Sequence, residues 1–399
     1  MTKLKLLAAA TTTCVVWIGS SVAAVNPVPW GVDRVDQRAL PLDNSYTQTL
    51  TGRGVYYYAV DTGVNKNHIE FAGRIVDGYT RVADGLGTLD CNGHGTHTTG
   101  TAAGGLSGVA RGVTIVPVRV YGCSGTGWTS ELTAGVRWSI EHHQQGVPAV
   151  MNISASGPMS GSLNMAVRDA IADGIVVVVA AGNNNADACV YSPGSEPGAI
   201  TVGATDSADA KLGISNYGKC VDVYAPGAWI TSAWHTGAAD YRTLKGTSFA
   251  SPHVAGIAAL VLEANPTYTP AQVASAIVSS ATPNVITGLS TTSTNLLAYA
   301  PYAVAPTPVT TTTVAQETTT TSTTIAVAVE KVSARKVGRG YYEVRVSGVS
   351  PNLNFAVQAL DKTRRPAKSI SWLTTADSSG NAVFYVHWEL SGFQFSIVK

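Results

Sequence analysis

The stretch Cys91–His97, which reads CNGHGTH, places one cysteine and two histidines close together in the sequence. Cysteine and histidine are common zinc ligands, and histidine is also the usual general base of hydrolytic enzymes. A catalytic zinc helix typically reads HExxH, in which the glutamate is the base. Here only Gly and Thr separate the two histidines, and the stretch has no glutamate. The spacing therefore argues against zinc and leaves acid–base chemistry or a structural role.

Two distant residues could complete an acid–base site with His94. Asp61 ends the hydrophobic run YYYAVD, and Ser248 lies in GTSFASPHVAG, where a loop enters a long apolar helix. Each residue has an ordinary alternative: an aspartate in a turn, a buried hydrogen-bonded histidine, and a serine that caps a helix. Together they supply an acid, a base and a nucleophile in the order Asp, His, Ser, which is the chain order of the subtilisin triad.

The pattern around these residues predicts an α/β fold. β-branched runs predict buried strands at Val55–Val60, Val113–Val120, Ala149–Ser154, Ile175–Ala181 and Ile200–Ala204. Amphipathic or apolar segments predict helices at Glu131–Gln145, Leu163–Asp173, Phe249–Ala264 and Pro270–Ser280. The last helix has a start signal, with Thr269 as N-cap and Gln272 three residues later. Strands that alternate with helices imply a mostly parallel sheet with helices on both faces and the active site at the carboxyl ends of the strands.

Several blocks of the sequence resemble those of subtilisin-like serine proteases of the proteinase K type. AVDTGV, NGHGTHTTGT and GTSFASPHVAG match the three catalytic blocks, and VVVVAAGNNNADA and YSPGSEPGAITVGATD match segments between them. The resemblance covers about Pro29–Tyr299 and implies a serine-type endopeptidase. It implies that Ser248 is the nucleophile, His94 the general base, Asp61 the residue that orients it, and Asn183 an oxyanion donor. The other histidines nearby, His97 and His253, are expected to be structural.

The resemblance also implies a groove that holds an extended peptide between two edge segments. These segments are Gly125-Thr126-Gly127 and Ser154-Ala155-Ser156, and the wall of the primary pocket would be formed by Ala180, Ala181 and Gly182. Because the residues of this wall are small and apolar, the pocket is predicted to accept a large hydrophobic residue at the substrate position P1, with broad selectivity. The family usually has Leu-Gly where this chain has Ala155 and Ser156, so the finer subsite preferences are not carried over.

The composition and the N-terminus indicate an exported globular protein. Of the 399 residues 45 % are hydrophobic and 13 % are charged, which predicts a sizeable core. The formal net charge is +1, and no basic run alternates with aromatic residues, which argues against a nucleic-acid partner. Lys3 and Lys5, the apolar stretch Leu6–Ile18 and the small residues Val22–Ala24 predict a signal peptide, with secretion and a mature start near Val25. The stretch is too short to predict a membrane span.

The cysteine count predicts disulfides in the exported chain. Cys14 lies within the predicted signal peptide, and the four remaining cysteines fit two bridges with three possible connectivities. The resemblance selects Cys91–Cys123 and Cys189–Cys220. It also implies a structural Ca²⁺ held by the carbonyls of Pro197 and Ala199 and by the carboxylate of Asp222, because Ca²⁺ prefers oxygen ligands.

The chain divides into four predicted segments: a signal peptide at 1–24, a protease domain at 25–302, a Thr/Pro-rich linker at 303–328 and a small all-β domain at 329–399. The linker contains APTPVTTTTVAQETTTTSTT, which has almost no charge and little bulk. Period-two alternation predicts strands at Tyr341–Val346, Phe355–Leu360 and Ala382–Trp388, with a turn at Asp377–Ala382. Because VNPVPW already resembles the start of a mature enzyme, the sequence is expected to lack the propeptide usual in the family.

Two alternative functions follow from the same residues. The chain could be an inactive relic whose all-β domain binds a surface or a polymer, but the intact Asp61, His94, Ser248 and Asn183 favour an active peptidase with polypeptide substrates. An esterase is disfavoured because the G-x-S-x-G pattern of lipases is absent around Ser248.

Overall fold

The computed structural model describes residues 28–300 together with the backbone of six strands between 331 and 398. The predicted signal peptide and linker lie outside the described residues, as does the predicted turn at Asp377–Ala382 except for Ala382 itself. The described helices are α1 Trp30–Val35, α2 His94–Ala103, α3 Thr129–His142, α4 Gly161–Ala172, α5 Thr247–Ala264 and α6 Pro270–Ser280, and two short 3-10 helices lie at Ile69–Phe71 and Ala188–Val190.

The described strands of the first 300 residues follow the predicted runs and add several short ones. Their bounds are β1 Tyr56–Asp61, β2 Tyr79–Thr80, β3 Thr114–Arg119, β4 Ala149–Ile153, β5 Gly157–Pro158, β6 Val176–Ala180, β7 Tyr191–Ser192, β8 Ile200–Thr205, β9 Val223–Pro226, β10 Ile230–Ala233, β11 Tyr241–Leu244, β12 Thr282–Pro283 and β13 Leu296–Leu297.

Nine of these strands form one sheet in the order β12-β13-β9-β8-β6-β4-β1-β3-β2. Every neighbouring pair is parallel except β12 and β13, which confirms the predicted mostly parallel sheet. Two antiparallel pairs, β5–β7 and β10–β11, lie outside it. In this order the carboxyl ends of β3, β1, β4 and β6 are neighbours, so the loops that follow them share one edge of the sheet.

Alternation along β1 shows why the sheet is covered on both faces. Tyr57 and Ala59 belong to one buried cluster, whereas Tyr58 and Val60 belong to another. Successive side chains of a strand point to opposite faces, so the two clusters are the two sides of the sheet. Helix α5 contributes most of its length to the first cluster and is apolar on nearly all sides, which is typical of a helix in the centre of a domain.

The predicted start of α6 is confirmed in detail. The helix runs from Pro270 to Ser280, as the sequence predicts. The backbone N–H of Gln272 donates to Thr269 Oγ1 at 3.3 Å, and the backbone N–H of Thr269 donates to Gln272 Oε1 at 2.8 Å. This reciprocal capping satisfies two backbone donors that the first turn of a helix leaves without partners.

The C-terminal strands form two antiparallel three-stranded sheets. Their bounds are β14 Lys331–Gly338, β15 Tyr341–Ser347, β16 Asn354–Asp361, β17 Lys368–Thr375, β18 Ala382–His387 and β19 Phe393–Val398, in the orders β14-β15-β18 and β17-β16-β19. The three strands predicted here coincide with β15, β16 and β18. Among the described residues, no helix combines the length and the apolar character needed to cross a membrane.

Candidate active site

The loops at the carboxyl ends of β3, β1, β4 and β6 surround a cleft of about 590 Å³. Its size is typical of a binding site in an α/β protein, and its place is the one expected for an active site in a parallel sheet. The residues that line it are Asn92, His94, Tyr121, Ser124, Gly125, Thr126, Gly127, Ser154, Ala155, Ser156, Ala180, Asn183, Asn184, Thr247 and Ser248.

Asp61 and His94 form a close pair at the cleft. His94 Nδ1 lies 2.8 Å from Asp61 Oδ1 and 2.9 Å from Oδ2. Asp61 is 2 % exposed, and its carboxylate also accepts a hydrogen bond from the backbone N–H of Thr62 at 2.7 Å. A carboxylate can only accept, so His94 Nδ1 carries the proton and Nε2 of the neutral imidazole is left as the acceptor.

Glycine at position 95 allows this pair to form. A Cβ atom at Gly95 would lie 2.2 Å from the carbonyl oxygen of Gly63 and 3.1 Å from Asp61 Cβ. Any side chain would therefore push the first turn of α2 away from the end of β1. This contact explains why the residue after His94 is a glycine.

Asp90 holds the end of β1 and the start of α2 together, and it was not among the predicted site residues. Its Oδ1 accepts hydrogen bonds from Thr62 Oγ1 at 2.9 Å and from the backbone N–H groups of Asn92 and Gly93. Its Oδ2 accepts from the N–H and the hydroxyl of Thr96. Thr62 follows Asp61, and Thr96 lies in the first turn of α2, so one buried carboxylate fixes the strand end relative to the helix start. The only available signal was an aspartate two residues before Asn92-Gly93, in a composition typical of turns.

The neighbours of His94 determine its protonation. Burial lowers the pKa of the imidazole, but the charge of Asp61 and the hydrogen bond to it act in the opposite direction and raise the pKa above its ordinary value. Asp90 contributes in the same direction. The imidazolium that forms when His94 accepts a proton is therefore stabilised by two carboxylates.

Ser248 is the second residue of α5, and Pro252 shapes its surroundings. A helical carbonyl normally accepts the N–H four residues later, but Pro252 has none, so the carbonyl of Ser248 is left without that bond. Ser154 Oγ donates to this carbonyl at 2.8 Å, and Ser248 Oγ donates to the carbonyl of Ser154 at 3.0 Å. Among the described hydrogen bonds, none joins Ser248 to His94, so the hydroxyl must rotate to place its proton on His94 Nε2.

Asn183 lines the cleft from the turn that follows β6, with its amide held in one orientation. Its Oδ1 accepts hydrogen bonds from the backbone N–H of Thr247 at 2.9 Å and from Thr247 Oγ1 at 3.1 Å. A backbone N–H can only donate, so this contact assigns the amide oxygen to Thr247 and leaves the Nδ2 donors toward the cleft. Thr247, which precedes Ser248, was not among the predicted site residues.

His97 and His253 are buried and neutral, as the sequence predicts for structural histidines. His97 Nε2 lies 3.0 Å from the carbonyl oxygens of Ile230 and Arg242, and burial lowers the pKa of His97 to about 3. His253 Nδ1 donates to the carbonyl of Phe249 at 2.9 Å, and burial lowers its pKa to about 4. Neither residue lines the cleft.

Both predicted edge segments line the cleft. Thr126, Gly127 and Ser156 are exposed, whereas Ser154 is buried by its bonds to α5. Of the residues expected to form the wall of the primary pocket, Ala180 lines the cleft. Ala181 and Gly182 are buried and do not line it: the N–H of Ala181 donates to the carbonyl of Val202 in the sheet, and the Asn216 side chain packs against Gly182.

Both predicted disulfides are present. Cys91–Cys123 and Cys189–Cys220 have S–S distances of 2.05 and 2.09 Å and close loops with separations of 32 and 31 residues. Asp84 lies near Cys91 and Cys123 in a group with the spacing of metal ligands. Because both sulfur atoms are in a disulfide, they cannot serve as thiolate ligands, and this group does not form a metal site.

Removal of a disulfide is expected to lower the stability without changing the fold. A double Cys189→Ser, Cys220→Ser variant should lose about 2–4 kcal/mol of unfolding free energy, because the unfolded chain regains the freedom of the open loop. Chemical denaturation monitored by tryptophan fluorescence measures the loss. Peptide mass mapping of the non-reduced wild type should find no free thiol at the four cysteines, and free thiols there would contradict the pairing.

The residues expected to hold Ca²⁺ are adjacent at one end of β8. The backbone N–H of Asp222 donates to the carbonyl of Thr201 at 3.0 Å. Asp222 Oδ2 accepts a hydrogen bond from the N–H of Thr201 at 2.8 Å. Burial raises the pKa of Asp222 to about 6, and no cationic side chain pairs with it among the described residues. A half-buried carboxylate that no described cationic side chain neutralises fits a hard cation.

The fold and this site define a serine-type endopeptidase: a parallel α/β sheet brings an Asp–His pair and a helix-borne serine to one cleft. Comparisons with known proteins give the family. A model of the subtilase family matches residues 52–323. The chain is 52 % identical over 280 residues to the extracellular serine proteinase of Thermus sp. (strain Rt41A), covering 70 % of this chain and 68 % of that protein. The chain belongs to the subtilase family.

Further relatives agree with this assignment. The chain is 51 % identical over 258 residues to alkaline serine exoprotease A of Vibrio alginolyticus. This match covers 65 % of this chain but only 48 % of that protein. The solved structure of a cold adapted subtilisin-like serine proteinase matches with a TM-score of 0.66 and 47 % identity, over 69 % of this chain and 99 % of that one. Nothing in these relatives supports the alternative of an inactive relic.

Proposed function

We propose that the protein is a secreted endopeptidase that hydrolyses peptide bonds through an acyl-enzyme on Ser248. The observation that carries the proposal is the bidentate contact of His94 Nδ1 with Asp61, in a cleft that Ser248 and Asn183 also line. The names of the extracellular relatives support secretion, together with the signal peptide predicted at 1–24.

In the proposed mechanism Ser248 Oγ attacks the substrate carbonyl carbon while its proton passes to His94 Nε2. Asp61 keeps the proton of the imidazole on Nδ1 and stabilises the charged ring. The oxyanion accepts hydrogen bonds from Asn183 Nδ2 and from the backbone N–H of Ser248, which lies at the positive end of α5. When the C–N bond breaks, His94 donates its proton to the leaving amine. Water then hydrolyses the ester with His94 again as the base.

The proposed substrate is an extended polypeptide with a large hydrophobic residue at P1 and otherwise broad specificity. The edge segments Gly125–Gly127 and Ser154–Ser156, which line the cleft, would pair with its backbone from both sides. Apart from His94, no described residue that lines the cleft is charged, so a charged P1 side chain would lose its hydration without gaining a partner.

Hydrolysis of casein and of a peptide series that differs only at P1 tests the proposal. We expect casein to be cleaved at internal bonds, and kcat/KM for Phe or Leu at P1 to exceed that for Lys or Glu by at least about 10-fold. An intact protein that cleaves neither casein nor the peptides would contradict the proposed activity. Equal rates for all P1 residues would contradict only the proposed preference.

We also propose a structural Ca²⁺ held by the carbonyls of Pro197 and Ala199 and the carboxylate of Asp222. Addition of Ca²⁺ at about 100 times its Kd should stabilise the native state by about 2.7 kcal/mol, because the ion binds only the folded site. In thermal unfolding with Ca²⁺ or EDTA, Asp222→Asn should lose this increment. Asp169→Asn, a change on the exposed face of α4, is the control and should keep it. An unchanged response of Asp222→Asn would contradict the site.

The proposed division of the chain is a protease domain at 25–302, a linker at 303–328 and an all-β domain at 329–399 that attaches the enzyme to a surface or a polymer. The described strands β14–β19 are consistent with an all-β segment. Intact mass of the secreted protein gives its two ends and thereby reveals cleavage after residue 24 or within the linker.

A further inference from the structure

The turn that carries Asn183 has an irregular backbone that must be held from outside. It follows β6, and Gly182 has a φ of 104°, in the region that side chains disfavour. Thr247 fixes the rotation of the Asn183 amide, but the position of the amide also depends on the backbone on either side. A donor to an oxyanion must lie within a few tenths of an ångström of its place, so the support of this turn matters for catalysis.

Asn216 supplies that support with its side chain. It is completely buried, and its Nδ2 donates to the carbonyl of Ala181 at 2.8 Å. Its Oδ1 accepts from the backbone N–H of Asn184 at 2.9 Å and of Ala186 at 3.1 Å. The three bonds contact the chain before and after Asn183. One buried amide therefore fixes both sides of the turn while remaining outside the cleft.

Backbone hydrogen bonds keep the two segments side by side independently of this side chain. The N–H of Asn216 donates to the carbonyl of Gly182 at 2.8 Å, the N–H of Asn185 donates to Ile214 and the N–H of Tyr217 donates to Ala186. These bonds do not require an amide at position 216. Loss of the side chain should therefore release the turn locally, leaving the two segments in register.

We propose that Asn216 is a positioning residue for the oxyanion hole and acts through Asn183. The inference rests on the proposed role of Asn183. Removal of the Asn216 amide takes away the acceptor of the Asn184 and Ala186 N–H groups and the donor to the Ala181 carbonyl, and the turn must shift to satisfy these groups. A shift of the turn moves the Asn183 donor away from the developing oxyanion. The reaction then loses stabilisation of its transition state more than it loses substrate binding.

A double-mutant cycle distinguishes positioning from a general structural role. In the otherwise native protein, Asn216→Ala should lower kcat by about 10- to 100-fold, with a smaller change in KM. Asn183→Ala should lower kcat by about 10²- to 10³-fold. In the Asn183→Ala background, Asn216→Ala should change kcat by less than about 3-fold, because residues that act as a unit are not additive.

Asn295→Ala is the matched control. Asn295 is a half-buried asparagine whose amide bonds both the N–H and the carbonyl of Ile286, away from the cleft. The Asn295→Ala substitution should lower the melting temperature of the protein without lowering kcat. If Asn216→Ala does not fold, the same cycle is run with Asn216→Asp, which retains an acceptor for both N–H groups but removes the donor to the Ala181 carbonyl; the loss of kcat should be smaller and again confined to the background that has Asn183.

The outcomes are separable. An equal fold loss of kcat in both backgrounds, no loss in either, or a loss confined to KM overturns the role of Asn216. A wild type without peptidase activity, or an Asn183→Ala variant with unchanged kcat, instead overturns the proposed function on which the inference rests.

Discussion

Ser248→Ala is expected to lower kcat for peptide hydrolysis by about 10⁶-fold, the scale that loss of this serine has in subtilisin itself. Without Oγ no acyl-enzyme can form, and only the oxyanion donors and substrate binding remain to assist attack by water. Steady-state kinetics on a chromogenic peptide with a hydrophobic P1 residue measures the loss.

Substrate binding provides the control for this variant. KM or the affinity for a peptide product should change little, because the backbone N–H of Ser248 and both edge segments are retained. Ser162→Ala, a change at an exposed serine of α4, should leave kcat unchanged. A Ser248→Ala protein that retains more than about a hundredth of the wild-type kcat would exceed the residual expected without a nucleophile and would contradict the assignment.

Asp61→Asn is expected to lower kcat by about 10⁴-fold with little change in the fold. The amide has nearly the shape of the carboxylate, but its NH₂ group can donate to His94 Nδ1. The proton of the imidazole then moves to Nε2, and the nitrogen that must accept the proton of Ser248 is no longer free. Among the described residues, Asp61 is the carboxylate that contacts the imidazole of His94, and no second carboxylate contacts the ring to replace it.

The pH profile of the same variant gives a second measurement. His94 acts as a base only when neutral, so kcat/KM falls as the pH drops through its pKa. Asp61 raises that pKa, and the residual activity of Asp61→Asn should therefore persist to lower pH than that of the wild type. Asp169→Asn should leave the profile unchanged. An acid limb at the same pH in the wild type and in Asp61→Asn would mean that another group controls it.

The sequence predicted the parts of the site that depend on local pattern. Asp61 was predicted at the end of a strand and Ser248 at the entrance to a long helix, and the structure has both in those positions. The five predicted strands of the sheet match β1, β3, β4, β6 and β8 to within one residue at each end. Hydrophobic periodicity determines these elements, and it can be read from one segment at a time.

The support of the site could not be predicted because it depends on contacts between distant segments. Asp90 bonds Thr62 and Thr96, and Asn216 bonds the turn at 181–186, yet both lie in sequences that are ordinary for turns. Pro252 explains from the local sequence why the carbonyl of Ser248 lacks its helical hydrogen bond. The residue that replaces this bond, Ser154, lies in a distant segment after β4 and could not be predicted. The burial of Ala181 and Gly182 likewise depends on packing against distant residues such as Asn216.

The central claim is that Ser248 is the nucleophile, and covalent labelling tests it most directly. The wild-type protein is treated with a sulfonylating or phosphonylating serine reagent, and its intact mass and peptide map are measured alongside residual hydrolysis of casein. We predict one adduct per molecule, located on Ser248, with activity lost in proportion to labelling and no adduct on Ser248→Ala. An active protein that does not react, or an adduct that persists in Ser248→Ala, would contradict the account.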